Sequence, residues 1–389
     1  MRRFMLTRLE KVISGPGSVT AIAEELDRRN VTRAVLITGA SLGRSTLLSR
    51  VTQAMGSRCA AVSTGAAQHA PGGAVRAMGE LLDAVDADGV VSFGGGSAID
   101  SAKVAAASRI NGRDMTREAG ALDLARAFDP VEGPGLPHIA IPTTLSAGAF
   151  TPAGGVTDDG GVKHAVIDPR LQPCVVIHDP ELCVETPDQL WVTTGIRVLD
   201  HAIEAIYAKR AHPLSTALAI RAIRMIIEHL PGSRGTDGAS IEHRGQCLDA
   251  AWLSLYGGFN TGLGLSHALG HQIGPAWNVP HGVTSCLALA PSMRFMADVA
   301  PQRFADIAEG LKLPFDSSRG PESALRCADA VERFISQFDV PTRLHQLGVD
   351  ADSAVTIAGA VQHELELFDA VDRPVTTDEI RALLRVIHR

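Results

Sequence analysis

The run GVVSFGGGSAIDSAK, from Gly89 to Lys103, decides how the first half of this chain folds. Strand-like GVVSF passes without a spacer into Gly94-Gly95-Gly96 and then into a helix-compatible stretch from Ser97 onward. Glycines at a strand-to-helix turn let backbone approach diphosphate oxygens, and a helix N-terminus supplies free N–H donors. Ser97 is placed to act as N-cap or phosphate donor, with Asp100 one turn further in. A tight turn closing helix against sheet accounts for the same letters, and the run is not a G-x-G-x-x-G fingerprint.

The alternation extends to both sides. Arg33 to Thr38 (RAVLIT), Cys59 to Ser63 (CAAVS) and His138 to Ile141 (HIAI) are strand-like, while stretches near 44–55, 72–85 and 97–109 have helical spacing. Such alternation implies a mostly parallel sheet covered by helices. GGVTDDGG, Gly154 to Gly161, predicts a hairpin. A second strand end, Ile141-Pro142-Thr143-Thr144-Leu145-Ser146-Ala147-Gly148, adds hydroxyls and a flexible turn on the edge where open α/β sheets bind ligands. Beyond Glu185 helical patterns dominate, near 188–208, 212–230, 240–258, 262–273 and 282–298 and on to the end. The expected organisation is an α/β dinucleotide-binding domain over residues 1–185 and an all-α catalytic domain over 186–389. Pro231 to Gly238 is a loop within the second.

Bulk properties exclude several functions. At 389 residues and 45% apolar content the chain can bury the cores of two domains. Aromatics at 4% argue against base-stacking platforms, and a net charge of −7 without a basic run argues against a nucleic-acid partner. No apolar stretch reaches the roughly 18–20 residues that cross a bilayer, and MRRFMLTRLEKVISGPGS has no signal-peptide core. Six cysteines without a C-x-x-C pair fit reduced thiols. The expectation is a cytoplasmic protein, a homodimer, with a small-molecule substrate and no membrane partner.

The chemistry concentrates in GLGLSHALGHQIGPAWNVPH, Gly262 to His281. His267 and His271 stand four apart on one helix face. His281 follows a Val-Pro step, and GIRVLDHAIE adds His201 inside another apolar helix. One such histidine is more often a satisfied core or surface residue, but four grouped imidazoles predict a metal site or an acid/base pocket.

Together these residues resemble the iron-containing (group III) alcohol dehydrogenase superfamily along essentially the whole chain. GGGS-x-x-D-x-x-K at 94–103 is similar to that family's diphosphate loop, and Pro142-Thr143-Thr144 to its nicotinamide-side loop. Lys163, ahead of Ile167-Asp168-Pro169, is similar to a family lysine near the cofactor. The resemblance implies a dehydroquinate synthase-like, group III architecture with the active site in the cleft between domains. It also implies an NAD(P)H cofactor held by Gly39, Gly94, Gly95, Gly96, Ser97, Asp100, Thr143, Thr144, Leu145 and Lys163. In metal-binding members the positions of His201, His267 and His281 are ligands, and that of His271 faces nicotinamide and substrate. The shorter loop Thr143 to Pro152, with Gln68 to Pro71, Ala205 to Ala208 and Arg373 to Thr376, resembles the maleylacetate reductase branch.

Three departures matter. Arg197 stands where metal-binding members have an aspartate one turn before His201, and a permanent cation opposes a divalent ion. Asp200, next in sequence to His201, points about 100° away on a helix and is a poor stand-in. Ala149 removes a further acidic position, and Gly39 replaces an acidic residue that would read the ribose. That replacement lifts one barrier to NADPH, with Arg44 as a candidate phosphate partner.

The reading is an oxidoreductase transferring hydride between nicotinamide and a small, carboxylated carbonyl or enone. His271 is the proton relay, or else packs against the cofactor. Arg197 is the electrophilic group, or else ion-pairs with Asp200 or Glu204. A divalent iron or zinc ion, if held, sits on His201, His267 and His281, and none is expected to be required. The alternatives are a metal-dependent alcohol or aldehyde dehydrogenase of the same superfamily, a dehydroquinate synthase-like lyase, and an inactive binding protein.

Overall fold

The computed structural model describes residue 4 and residues 6–118, 133–258, 260–262 and 264–389. They form two compact units. The first comprises Met5–Thr186 with Gly235–Leu248, and the second Met1–Phe4, Pro187–Arg234 and Asp249–Arg389.

In the first unit the order is β1 (Lys11–Ser14), α1 (Ile22–Asp27), β2 (Ala34–Gly39), α2 (Ala40–Gly43), α3 (Thr46–Met55), β3 (Cys59–Ala66) and α4 (Gly72–Ala84). There follow β4 (Gly89–Gly94), α5 (Gly96–Asn111), α6 (Met115–Glu118), β5 (His138–Pro142), β6 (Ala153–Thr157), β7 (Lys163–Ile167) and β8 (Val175–His178). Six strands make a parallel sheet in the order β1-β8-β5-β4-β2-β3. β6 and β7 are the expected hairpin, paired antiparallel. Residues alternate between two buried faces: Leu36 packs with Phe93 and Ile141 on one side, Val35 and Ile37 with Val90 and Val104 on the other.

The strand order positions the site. From β2 the chain moves outward to the edge strand β3, then returns to place β4 on the other side of β2 and continues to β5. The order therefore reverses between β2 and β4, and ligands of open α/β sheets bind at the carboxyl ends flanking such a point. Thr38 pairs with Phe93, so Gly39 and Gly94 end the two strands side by side.

The second unit is helical: α7 (Asp188–Tyr207), α8 (Pro213–His229), α9 (Gly238–Gly258), α10 (Leu265–Trp277), α11 (His281–Val299) and α12 (Phe304–Gly310). α13 (Gly320–Ser336), α14 (Ala351–Ala354), α15 (Ala358–Phe368) and α16 (Thr377–His388) complete it. The start of α9, up to Leu248, groups with the first unit instead. Arg244 there donates to the Cys183 carbonyl at 2.9 Å, so the first unit takes a segment that a single boundary near 185 assigns to the second. No described helix is long and apolar enough to cross a membrane. All six cysteines are free thiols.

Candidate active site

From Trp191 to Tyr207 every residue of α7 is buried. Within that span Arg197, Asp200, His201 and Glu204 fall at i, i+3, i+4 and i+7, one face of a helix. α7 packs on α8 and α11, so these polar groups must satisfy one another and the groups brought by α10 and α11.

Arg197 is 5% exposed. Its Nη2 lies 2.5 Å from His281 Nε2, and its Nη1 donates to Ser285 Oγ at 3.1 Å. A guanidinium only donates, so His281 Nε2 is the acceptor. Ser285 Oγ then donates to Asp200 Oδ2 at 2.6 Å, and Ser266 Oγ to the same oxygen at 3.0 Å. The expected alternative, a direct ion pair of Arg197 with Asp200 or Glu204, is not formed among the described residues. Although helix phase sets the three on one face, the guanidinium extends to α11, and the Ser285 hydroxyl stands between it and Asp200.

Glu204 ties α7 to the start of α10. Oε2 accepts the Gly264 N–H at 2.8 Å and faces His267 Nδ1 at 2.6 Å. Oε1 accepts the Ser266 N–H at 2.7 Å and the Tyr207 hydroxyl at 3.3 Å. Those backbone donors belong to a helix N-terminus, where a carboxylate is favourable. Burial nevertheless pushes Glu204 up to about 7, against the pull of these N–H groups. Burial, and then the Arg197 charge, takes His267 down to about 3, so its ring is neutral. With Nδ1 turned to Glu204, His267 Nε2 is left buried and without a hydrogen-bond partner.

The four imidazoles are neighbours, as the sequence grouping predicts. The rings of His201 and His267 stack with centroids 4.8 Å apart, His271 meets His267 edge-on at 6.3 Å, and His271 stacks on His281 at 5.5 Å. His201 Nδ1 is also buried without a partner, and burial holds this histidine well below its ordinary pKa. His271 is more exposed, and its Nδ1 bonds the carboxylate of Glu364 on α15. Gln272 Nε2 holds the other Glu364 oxygen at 2.9 Å. Glu364 and Ser285 escaped the sequence reading because only the tertiary fold brings them to the histidines. The HAIE spacing was the one available sign of Glu204.

The arrangement does not reproduce the set His201, His267 and His281 that the resemblance implies for a divalent ion, were one held. His281 Nε2 is engaged by a guanidinium. Among the described residues the group of metal-type donor atoms within 4.8 Å of one another is Asp200, Glu204 and His267, not His201, His267 and His281. In that group the Glu204 oxygens already accept two backbone N–H groups and a hydroxyl.

The nucleotide end lies in the first unit, and there the residues fit a diphosphate. Gly94 has φ 148°, a turn that favours glycine. α5 begins at Gly96 with Gly95 as N-cap and no side-chain cap. Ser97 is thus inside the first turn, a correction to its expected N-cap place: Gly94, with its positive φ, makes the turn, so the helix is capped two residues earlier, at Gly95. The first N–H groups of α5 remain available to a ligand. A Cβ on Gly95 would lie 3.1 Å from Thr144 Cγ2, and one on Gly96 3.2 Å from Ser146 Oγ. Thr144 Oγ1 and Ser146 Oγ are buried and unpartnered beside this cradle, and Ser146 was not among the expected contacts. Thr143 N–H donates to the Gly94 carbonyl at 3.0 Å, locking the two strand ends together. Leu145 is fully buried and packs in the core. A Cβ on Gly155 would lie 3.3 Å from both Lys163 Cε and Asp100 Oδ2, which brings Lys163 and Asp100 to one place.

A parallel sheet with a glycine turn at its switch point, joined to a helical unit with clustered buried histidines, defines a nucleotide-dependent dehydrogenase class. Residues 10–180 match the family described as iron-containing alcohol dehydrogenase, and residues 191–388 match its C-terminal counterpart. The chain belongs to the iron-containing alcohol dehydrogenase family and is an oxidoreductase of the nicotinamide-dependent type, near the maleylacetate reductase branch. It is 30% identical over 384 residues to maleylacetate reductase of Rhizobium sp. strain MTP-10005, covering 96% of this chain and 94% of that one. It is 34% identical over 273 residues, 70% of each chain, to NAD-dependent methanol dehydrogenase of Bacillus methanolicus. Among solved structures, maleylacetate reductase of Agrobacterium tumefaciens superposes with TM-score 0.78 at 27% identity, covering 100% of this chain and 99% of that one. A 1,3-propanediol oxidoreductase superposes with TM-score 0.89 at 25% identity over 100% of both chains.

Proposed function

We propose that this chain is an NAD(P)H-dependent reductase of a small carboxylated carbonyl or enone, of the maleylacetate type, and that it needs no metal ion. The observation carrying this reading is the buried Arg197 guanidinium hydrogen-bonded to His281. A desolvated, permanently charged fork binds a carboxylate bidentately or polarises a carbonyl oxygen. The nicotinamide supplies the hydride, and the protein's own groups bind, orient and move the proton. Arg197, braced by His281 and Ser285, holds the negative charge of the substrate. His271, with Nδ1 fixed on Glu364, presents Nε2 as the atom that passes the proton. Gly94 to Ser97 hold the diphosphate, with Thr143, Thr144, Asp100 and Lys163 around the rest of the cofactor.

The test is a reductase screen with NADH and NADPH against maleylacetate, oxo acids and simple aldehydes, each with and without Fe²⁺ or Zn²⁺ after EDTA treatment. Turnover of carboxylated substrates by the chelated enzyme is expected. Turnover of neutral alcohols or aldehydes alone, only with metal, would replace this reading with the metal-dependent dehydrogenase. The unpartnered His201 Nδ1 and His267 Nε2 are what favour that second reading.

A further inference from the structure

We propose that Lys103 is a positioning residue for the cofactor, fixing the turn at 148–153 so that the nicotinamide-side loop keeps its place relative to the glycine turn. The proposal rests on the nicotinamide reading above for the loop that starts at Thr143. Lys103 is fully buried. Its Nζ donates to the Gly148 carbonyl at 2.6 Å, the Thr151 carbonyl at 2.6 Å and the Ala153 carbonyl at 2.8 Å. An ammonium has three protons, and each has a carbonyl.

That saturation excludes the other reading of a buried lysine. Burial lowers Lys103 to about 8, with Asp100 opposing, and such a lysine is often a base or a nucleophile. Here no proton or lone pair is left to face a ligand. Gly148 and Thr151 belong to the turn that leads into the hairpin, and Ala153 is the first residue of β6, opposite Ile167. Without a donor, buried carbonyls move toward water.

Placement turns this anchoring into a functional role. Lys103 lies two turns along α5, the helix whose first residues form the diphosphate cradle. Asp100, one turn earlier, accepts the Gly155 N–H. One rigid helix therefore carries the diphosphate cradle at its start and the loop anchor on its flank. Ala147 sits between the hydroxyls of Thr144 and Ser146 and the anchored carbonyls, with φ 59°. An alanine held there needs surroundings that over-determine its conformation.

The experiment compares NADH with ADP-ribose, which lacks the nicotinamide, by titration of the purified chain. For Lys103→Met, nearly the same shape without donors, NADH affinity should fall at least about tenfold while ADP-ribose affinity stays within about threefold. Equal losses for both ligands, or no loss for NADH, would overturn the proposal. If Lys103→Met does not fold, the same titrations on Lys103→Arg decide, since a planar guanidinium cannot point three N–H groups at a pyramid of carbonyls. The same split is expected there in smaller measure, and equal affinities to wild type for both ligands would sink the idea. A wild-type chain that binds neither ligand would instead refute the cofactor reading itself.

Discussion

Arg197 Nη2 sits 2.5 Å from His281 Nε2, so a fixed positive charge stands at the ring nitrogen through which that imidazole would bind a metal ion. The pairing has two consequences. It spends the ring nitrogen of one prospective ligand, and it places a cation within reach of the other two imidazoles, whose pKa values it helps depress. Three neutral imidazoles can hold zinc in other proteins, but here a guanidinium stands among them and repels a divalent ion.

Replacing Arg197 with Asp should therefore act in opposite directions on metal and on substrate. Affinity for Zn²⁺ or Fe²⁺, read by calorimetry, should rise at least about tenfold. Catalytic efficiency on a carboxylated substrate should fall about 100-fold, equivalent to ~2.7 kcal/mol. Arg197→Lys keeps the charge and loses the fork, and should lie between the two. Stoichiometric metal in the wild-type protein, with activity lost on chelation and restored with the ion, would leave Arg197 to the substrate alone.

At the nucleotide end, Gly95→Val would place a branched side chain where the Thr144 methyl already stands 3.1 Å from the ideal Cβ position. The valine must push Thr144 aside or fill the cradle. NADH affinity should fall by about 100-fold or more, given that a displaced phosphate loses several charge-assisted contacts. A folded variant that binds NADH like the wild type would remove the diphosphate assignment.

Cofactor choice turns on Gly39. The residue ends β2 beside Gly94 and carries no carboxylate to repel a 2′-phosphate, while Arg44 is exposed a few residues on. Measurable turnover with both NADH and NADPH is expected. Gly39→Asp should shift preference toward NADH, with a small local adjustment because its Cβ would stand 3.1 Å from the Ala66 carbonyl oxygen. Rejection of NADPH by the wild type by about a thousandfold, roughly 4 kcal/mol, would show that Gly39 does not govern the choice.

How much of this was legible beforehand depends on the range of the interaction. The strands ending at Thr38, Phe93 and Ile141, the hairpin and the helices of the second half follow from local periodicity, and all are present. β1 and β8 were not read: each is four residues long, too short to show alternation, and they are strands only because they pair with each other and with β5. α10 runs to Trp277 rather than stopping near 273, with Pro275 inside its last turn and Asn278, at positive φ, as its C-cap. At the site, Arg197 and the histidines are visible because helix spacing places them. Glu364 lies 93 residues from the His271 it orients, and nothing local in VQHELE announces it. Arg373 to Thr376, read as a branch-like motif, has a local physical role: Thr376 and Glu379 form the capping box of α16, with Arg373 on the glutamate.

That capping box gives a stability prediction with a definite pH dependence. Glu379 accepts from Arg373 Nη2 at 2.8 Å, from the Thr376 N–H at 2.8 Å and from Thr376 Oγ1 at 2.9 Å. The Arg373 hydrogen bond first, and then the Thr376 N–H, hold its carboxyl down to about 2 from a usual 4.5. In the unfolded chain the group takes up its proton near the usual value, so between there and about 2 the unfolded state binds more protons. The stabilisation is therefore fully present above the usual pKa and is lost as pH falls through that window. Because the pair is largely solvated, the size follows from capping and exposed ion pairs: Glu379→Gln should cost ~0.5–1.5 kcal/mol at pH 7. Urea unfolding of wild type and variant at pH 7, 5 and 2.5 would measure it, with the gap expected to persist at pH 5 and to shrink to a minor fraction by pH 2.5. A gap that stays constant down to pH 2.5 would assign the effect to side-chain shape and not to the carboxylate's charge.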